Sequence, residues 1–328
     1  MTPPTLRDAA LERRLDRDGY LLLPGRALGE IEAARAIYAS APTGRPVPVG
    51  SYFAADEAAP DRTWRNRMAP GDDWRISTDE CAPEERTRIK AAMSPIWERV
   101  ALPLLVDHHV VINSFLTKYP GPESFLPLHQ DPTVVDEHDF RSVTVWVALD
   151  EISERRNNGV LHVLPGSHRV GLEWRGTRTD PSYIVGLEDL WSHAVPIDVE
   201  AGDVLIMDSR VLHGSPPNLS DKPRGAIAGV AAPRTAPLCH AVGVEGDRVE
   251  VWRVDEQFFC DHSPGSLRQH LPSGFEVVAT VPRADPPTSV EALLAQQHFE
   301  RTRRGRQHAR LARLKVRLLG RGNQDRPR

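Results

Sequence analysis

The stretch RSVTVWVALD, residues 141–150, alternates with period two. Val143, Val145, Val147 and Leu149 fall on one face of an extended chain, and Ser142, Thr144, Trp146 and Ala148 on the other. One face is apolar enough for a core, while the other brings polar groups inward, as in a barrel wall around a wet cavity. Similar runs lie on both sides: HHVVINSFLTKY, GVLHVLPGS, HAVPIDVEAGDVLIMDS, GAIAGVAAP and VEVWRV, each bounded by turn residues. Asn157, Asn158 and Gly159 read as one such turn, because Asn and Gly tolerate positive φ. Short strands at this spacing predict a jelly-roll barrel.

Helices are expected before the strands. TLRDAALERRLDRDG places Leu6, Ala10, Leu11 and Leu15 at helical spacing and stops at Gly19; YLLLPG follows as a short strand and EIEAARAIYAS as a second helix. PEERTRIKAAMSPIWERVALPLL is a third, with a kink expected at Pro95. Residues 41–82 lack periodicity and read as a long loop, of a length that is usually functional or disordered. The expected class is mainly β with flanking helices. A single domain is expected over residues 1–300: a helical part (1–105), a jelly-roll core (about 106–256) and an extension (257–300). A helix with a basic continuation runs into the tail, residues 301–328, which is expected to be partly disordered.

The 328 residues are 40% hydrophobic, enough for a core. The net charge of -4 is unevenly spread: residues 301–328 carry eleven bases and one acid, leaving 30 bases and 44 acids elsewhere. An acidic body does not suit a specific nucleic-acid binder, whose affinity comes mainly from basic charge. Cys81, Cys239 and Cys260 are odd in number and lack CxxC spacing, which argues against a disulfide framework and a structural zinc site. The charged N-terminus does not resemble a signal peptide, and no apolar run is long enough to span a bilayer. A cytoplasmic protein is expected, and the excess of Arg over Lys fits a GC-rich, bacterial coding sequence.

The chemistry is concentrated in LPLHQD, residues 126–131. On an extended segment His129 and Asp131 point to the same side. DSRVLHGSPPN offers His213 as a third ligand. Two histidines and one carboxylate form the facial set of non-haem Fe(II) oxygenases, leaving positions open for a chelating cosubstrate and O₂. Arg224 lies eleven residues beyond His213, where a guanidinium can clamp a carboxylate. His162, His193 and His240 read as ordinary polar residues, and His168 as structural.

Taken together, LDRDGYLLLPG, HQD, SVTVWVALDEISERRNNGVLHVLPGSH and GDVLIMDSRVLHGSPPNLSDKPR resemble the phytanoyl-CoA dioxygenase family of Fe(II)/2-oxoglutarate-dependent oxygenases. The resemblance implies a double-stranded β-helix, iron held by His129, Asp131 and His213, and 2-oxoglutarate held by Arg224. It also implies that Ser215, two residues after the distal histidine, touches the cosubstrate. Asn113, Thr117 and Lys118 are candidates for a further polar contact upstream, and Thr144 for another on the inner face. Related halogenases lack the carboxylate, so Asp131 points to oxygenation of an unactivated carbon in a small molecule. A bacterial secondary metabolite is one such substrate. The alternatives are a non-oxidative cupin-like metal barrel and a protein hydroxylase.

Overall fold

The computed structural model describes residues 4–40, 74–76, 81–121, 124–170, 174–179 and 188–283. The alternating stretch becomes β5 (Val143–Ala148), near the middle of a six-stranded antiparallel sheet. Its order is β1 (Tyr20–Leu23), β8 (Val204–Asp208), β5, β10 (Arg224–Pro233), β3 (His108–Lys118) and β2 (Trp74–Ile76). Val143, Val145 and Val147 pack outward, as their parity predicts. Their cluster contains Leu15 of α1 (Ala9–Asp18), Ile31 of α2 (Ile31–Ser40) and Ile89, Met93, Ile96 and Trp97 of α3 (Pro83–Val100). Fully burying a valine contributes about 1.5–3 kcal/mol. A one-residue slip of β5 would turn all three valines to the polar side, so packing fixes the register.

Trp146 and Ala148 face inward. They share a core with Leu161 and Val163 of β6 (Leu161–Val163), Ile197 of β7 (Val195–Ile197) and Leu205 and Met207 of β8. β6 and β7 belong to a second antiparallel sheet, ordered β4 (Leu126–His129), β9 (His213–Ser215), β6, β7. The two sheets therefore face each other. From β3 to β10 the chain passes between them: β3, β5, β8 and β10 lie in the larger, and β4, β6, β7 and β9 in the smaller. The class is mainly β with flanking helices, as expected.

Helix α1 begins at Asp8, whose carboxylate accepts from the backbone N–H of Ala10 and Leu11, and ends at Gly19. Helix α3 continues through Pro95 and stops at Val100, short of the expected Leu105. Two other readings are corrected. HAVPIDVEAGDVLIMDS is not one run: it turns at Gly202 (φ 91°), so β7 and β8 lie in different sheets. Residues 74–76, read as loop, pair with the edge of β3. The rest of the 41–82 loop apart from residues 81 and 82, and the C-terminal helix and tail, lie outside the described residues.

The sequence reading also overlooked most of a three-stranded sheet, β11 (Cys239–Val244), β12 (Arg248–Arg253) and β13 (Glu276–Pro282). Only β12 had a strong strand pattern; β11 includes His240 and Gly243, and it forms against β12. Two short helices, α4 (Phe258–Asp261) and α5 (Pro264–Gln269), fill the space between this sheet and β3 and β10. No helix among the described residues is long and apolar enough to cross a membrane.

Candidate active site

His129 ends β4 and His213 begins β9, and the two are direct cross-strand partners. Their ring centroids are 4.4 Å apart. Asp131 Oδ1 lies 3.7 Å from His213 Nε2 and 4.0 Å from His129 Nε2. One ligand atom from each residue falls within 4.8 Å of the others, so the three form a group able to hold a metal ion. His213 Nδ1 lies 3.0 Å from the Val211 carbonyl. With the proton on Nδ1, the Nε2 lone pair faces Asp131 and is free for a metal.

Asp131 is held from three sides. Its backbone N–H donates to the Ser209 carbonyl (2.9 Å). Its own carbonyl accepts from Arg175 Nε (2.7 Å), and Thr144 Oγ1 donates to its carboxylate Oδ2 (2.5 Å). Arg175 is itself fixed by a buried bidentate pair with Glu137, at 2.7 and 2.9 Å. Thr144, expected as a cosubstrate contact, is bonded in the structure to Asp131, and Arg175 is a residue the sequence reading missed. Its segment has no period, so nothing marked it. At the end of β8, Asp208 is clamped by Arg210 (2.7 Å) and Arg141 (3.2 Å). Burial opposes the charge on Asp208, but these cations overcome it and hold the carboxyl below its usual range.

The triad opens into a cavity between the sheets that Thr144, Trp146, Ser215 and Arg224 also line. Arg224 Nη2 donates to the Gly159 carbonyl (2.8 Å), while its Nε and the Ser215 hydroxyl are buried without a partner. Burial pushes the Arg224 guanidinium down to about 10, against the opposing pull of Asp150, so it remains a cation at neutral pH. A buried cation and a buried hydroxyl, both with unused hydrogen-bonding capacity, suit a carboxylate.

The three upstream candidates separate by strand parity. Lys118 is the direct partner of Arg224 across β3 and β10 and shares its face. It is fully buried, and its Nζ donates to the carbonyls of Ser215 (3.2 Å) and Pro216 (2.8 Å). Asn113 and Thr117 belong to the opposite face. Asn113 Oδ1 accepts from Trp97 Nε1 (2.7 Å), although Asn113 also borders the cavity, and the Thr117 hydroxyl meets that of Tyr38. Gly159 is required where it stands. Its φ is +76°, and a Cβ there would lie 2.5 Å from Lys118 Cδ.

Away from the metal group the cavity is walled by Phe258, Phe259, Leu267, His240 and His262. His240, read from sequence as an ordinary polar residue, has its Nε2 2.9 Å from Thr177 Oγ1. Burial pushes it down to about 4, so it is neutral at physiological pH. His162 and His168 do take structural contacts, with the carbonyls of Val160 and Asp16 respectively.

Fold and site together define a β-sandwich protein with a two-histidine, one-carboxylate metal group at the inner end of a cavity. Residues 15–226 match the family model for phytanoyl-CoA dioxygenase (PhyH), and the chain belongs to that family. Phytanoyl-CoA dioxygenase 1 of Oryza sativa subsp. japonica is 29% identical over 126 residues, covering 36% of this chain and 43% of that protein. The peroxisomal phytanoyl-CoA dioxygenase of Homo sapiens is 31% identical over 136 residues, covering 38% and 37%. The matches span less than half the length of these curated relatives. Among solved structures, EvdO2 from Micromonospora carbonacea var. aurantiaca, complexed with 2-oxoglutarate, superposes with a TM-score of 0.47 at 21% identity, covering 75% of this chain and 98% of that one. The carbocyclase SnoK from nogalamycin biosynthesis superposes with a TM-score of 0.45 at 23% identity, covering 72% and 88%.

Proposed function

We propose that the protein is an Fe(II)- and 2-oxoglutarate-dependent dioxygenase that oxidises an unactivated carbon of a small molecule, and that its facing sheets are a double-stranded β-helix. The division of β3 to β10 between the two sheets, with β3, β5, β8 and β10 in one and β4, β6, β7 and β9 in the other, supports the fold reading. The observation that carries the function is the convergence of His129, Asp131 and His213 at one end of a buried cavity. Two imidazoles and a carboxylate suit Fe(II) and leave coordination positions for a chelating cosubstrate. Iron, when bound with 2-oxoglutarate, would supply the oxidising chemistry.

The chain's own residues would do the rest. His129, Asp131 and His213 would hold the metal, and Arg224 and Ser215 the distal carboxylate of 2-oxoglutarate. Thr144 and Arg175 would keep Asp131 in position. The apolar wall around Phe258 and Leu267 would exclude water and receive the substrate. Asp131 favours oxygenation over halogenation, because it takes the position that a halide would need. We place the protein in the cytoplasm, a reading supported by the charged N-terminal sequence and by three cysteines that lack CxxC spacing. The Arg-rich sequence supports a bacterial source, the range of substrates in the family supports a role in secondary metabolism, and residues 1–300 are read as one domain with a separate basic tail.

Anaerobic titration with Fe(II), followed by 2-oxoglutarate and O₂, tests the reading. The full chain should bind about one Fe(II) and release succinate, and His129→Ala and His213→Ala should lose both. Wild-type metal affinity in both variants refutes the assignment. Metal and 2-oxoglutarate binding with no succinate under any substrate shifts it to the non-oxidative barrel.

A further inference from the structure

Behind the cosubstrate wall lies a lysine that the proposed chemistry does not use. Lys118 has no exposed surface, and among the described residues its Nζ is met by the Ser215 and Pro216 carbonyls alone. No carboxylate among the described residues is bonded to it. The Gly159 turn closes over its aliphatic chain, and Asn218 Nδ2 donates to its backbone carbonyl (3.0 Å). Arg224 stands directly opposite on β10. Other charged or titratable groups lie behind Arg224: Asp150, whose Oδ2 accepts from the Gly225 N–H (2.7 Å), and Tyr38 of α2. The Gly159 turn and the segment after β9 present backbone carbonyls.

The charge count at this floor is uneven. Among the described residues Asp150 is the carboxylate that acts on Arg224, and none acts on Lys118. In a water-poor site a second cation beside Arg224 is costly unless an anion compensates it. Burial, reinforced by Arg224, holds Lys118 well below the usual lysine range. A carboxylate docked on Arg224 Nε and the Ser215 hydroxyl would bring the missing negative charge to the other side of the Ser215 backbone. At low dielectric, its field would reach the ammonium without direct contact.

We propose that Lys118 is neutral while the cosubstrate site is empty and takes up a proton from solvent when the carboxylate binds, making 2-oxoglutarate binding proton-coupled. No bond other than N–H forms, and the proton comes from the buffer. The inference rests on the cosubstrate reading of Arg224 and Ser215, and it makes Lys118 a positioning residue whose charge state follows occupancy. A purely structural lysine would keep one charge state throughout, so proton uptake separates the two roles.

The experiment is calorimetric titration of 2-oxoglutarate into the full-length, Fe(II)-loaded protein under anaerobic conditions. It is run in buffers of different ionisation enthalpy across the neutral to alkaline range. The dependence of apparent enthalpy on buffer gives the protons taken up. The wild type should take up roughly half a proton or more beyond Lys118→Met at its maximum, with both forms binding. Equal proton counts in the two forms overturn the proposal. Should Lys118→Met fail to fold, the wild type decides alone: its dissociation constant must rise with pH, by up to tenfold per unit, and a flat profile overturns the proposal. If the metal-loaded wild type does not bind 2-oxoglutarate, both this inference and the cosubstrate reading fail; binding without proton uptake removes only this inference.

Discussion

Replacing Thr144 by valine keeps the side chain's shape and β5's propensity but deletes one hydroxyl. That hydroxyl donates at 2.5 Å to Asp131 Oδ2, while Oδ1 is the oxygen nearest both imidazoles. Thr144 therefore leaves Oδ1 as the carboxylate oxygen that faces the two imidazoles. A hydrogen bond to a charged group contributes about 1.5–3 kcal/mol, and loss of such an outer partner typically weakens a metal site about 10- to 100-fold. The two figures agree, because tenfold is about 1.4 kcal/mol. The expected result is a 10- to 100-fold rise in the Fe(II) dissociation constant, measured by anaerobic titration. At saturating metal, the affinity for 2-oxoglutarate should change little. The opposite pattern, with metal affinity kept and 2-oxoglutarate affinity lost, would show that Thr144 serves the cosubstrate and would refute the reasoning.

Arg224→Ala should weaken 2-oxoglutarate binding by about 2–5 kcal/mol, the scale for one partner of a buried charge pair; unchanged affinity by calorimetry places the clamp elsewhere. Gly159→Ala should cost about 1–3 kcal/mol in thermal unfolding, because alanine is strained at φ +76° and its Cβ meets Lys118; an unchanged melting temperature rejects that packing. Asp208→Asn should destabilise the protein by about 3–5 kcal/mol in urea, since Arg210 loses its buried partner and Arg141 is left with Glu12 and Asp16. The folded carboxyl of Asp208 is depressed, so its contribution is fully present above the unfolded pKa of about 3.9 and is lost only as pH falls further, through the folded value. The stability gap between wild type and Asp208→Asn should therefore stay constant from neutral pH to about 5; a gap that closes within that window contradicts the assignment.

The parts of the molecule that the sequence revealed are those where one residue's role is tied to a fixed offset. The β5 alternation set which face packs on α3, and the order of His129, Asp131, His213 and Arg224 marked residues that the fold gathers round one cavity. Lys118, Asn113 and Thr117 were not separated by sequence reasoning, yet the signal was present. Phe115 shares parity with Asn113 and Thr117, and a phenylalanine buried in the outer core sends both away from the cavity floor. Arg175 and His240 carried no such signal. Each reaches the site through a tertiary contact, Arg175 with Glu137 and His240 on a strand that forms only against β12. Periodicity reports what a segment does alone, and these residues depend on partners far along the chain.

The wall formed by α4 and α5 belongs to neither of the two large sheets. It rests on them from the side, while the candidate metal ligands lie on β4, on β9 and in the turn after β4. Under the proposed function, this would divide the protein into a part that sets the reaction and a part that chooses what enters it. Variation confined to residues 258–268 can change the guest without disturbing the His129–His213 strand pair. Libraries built there should yield shifted selectivity at nearly constant iron affinity, while the same number of changes on β4 and β9 should yield mostly inactive protein. A lineage could keep one chemical engine and change its client by rewriting a short stretch near the end of the described chain.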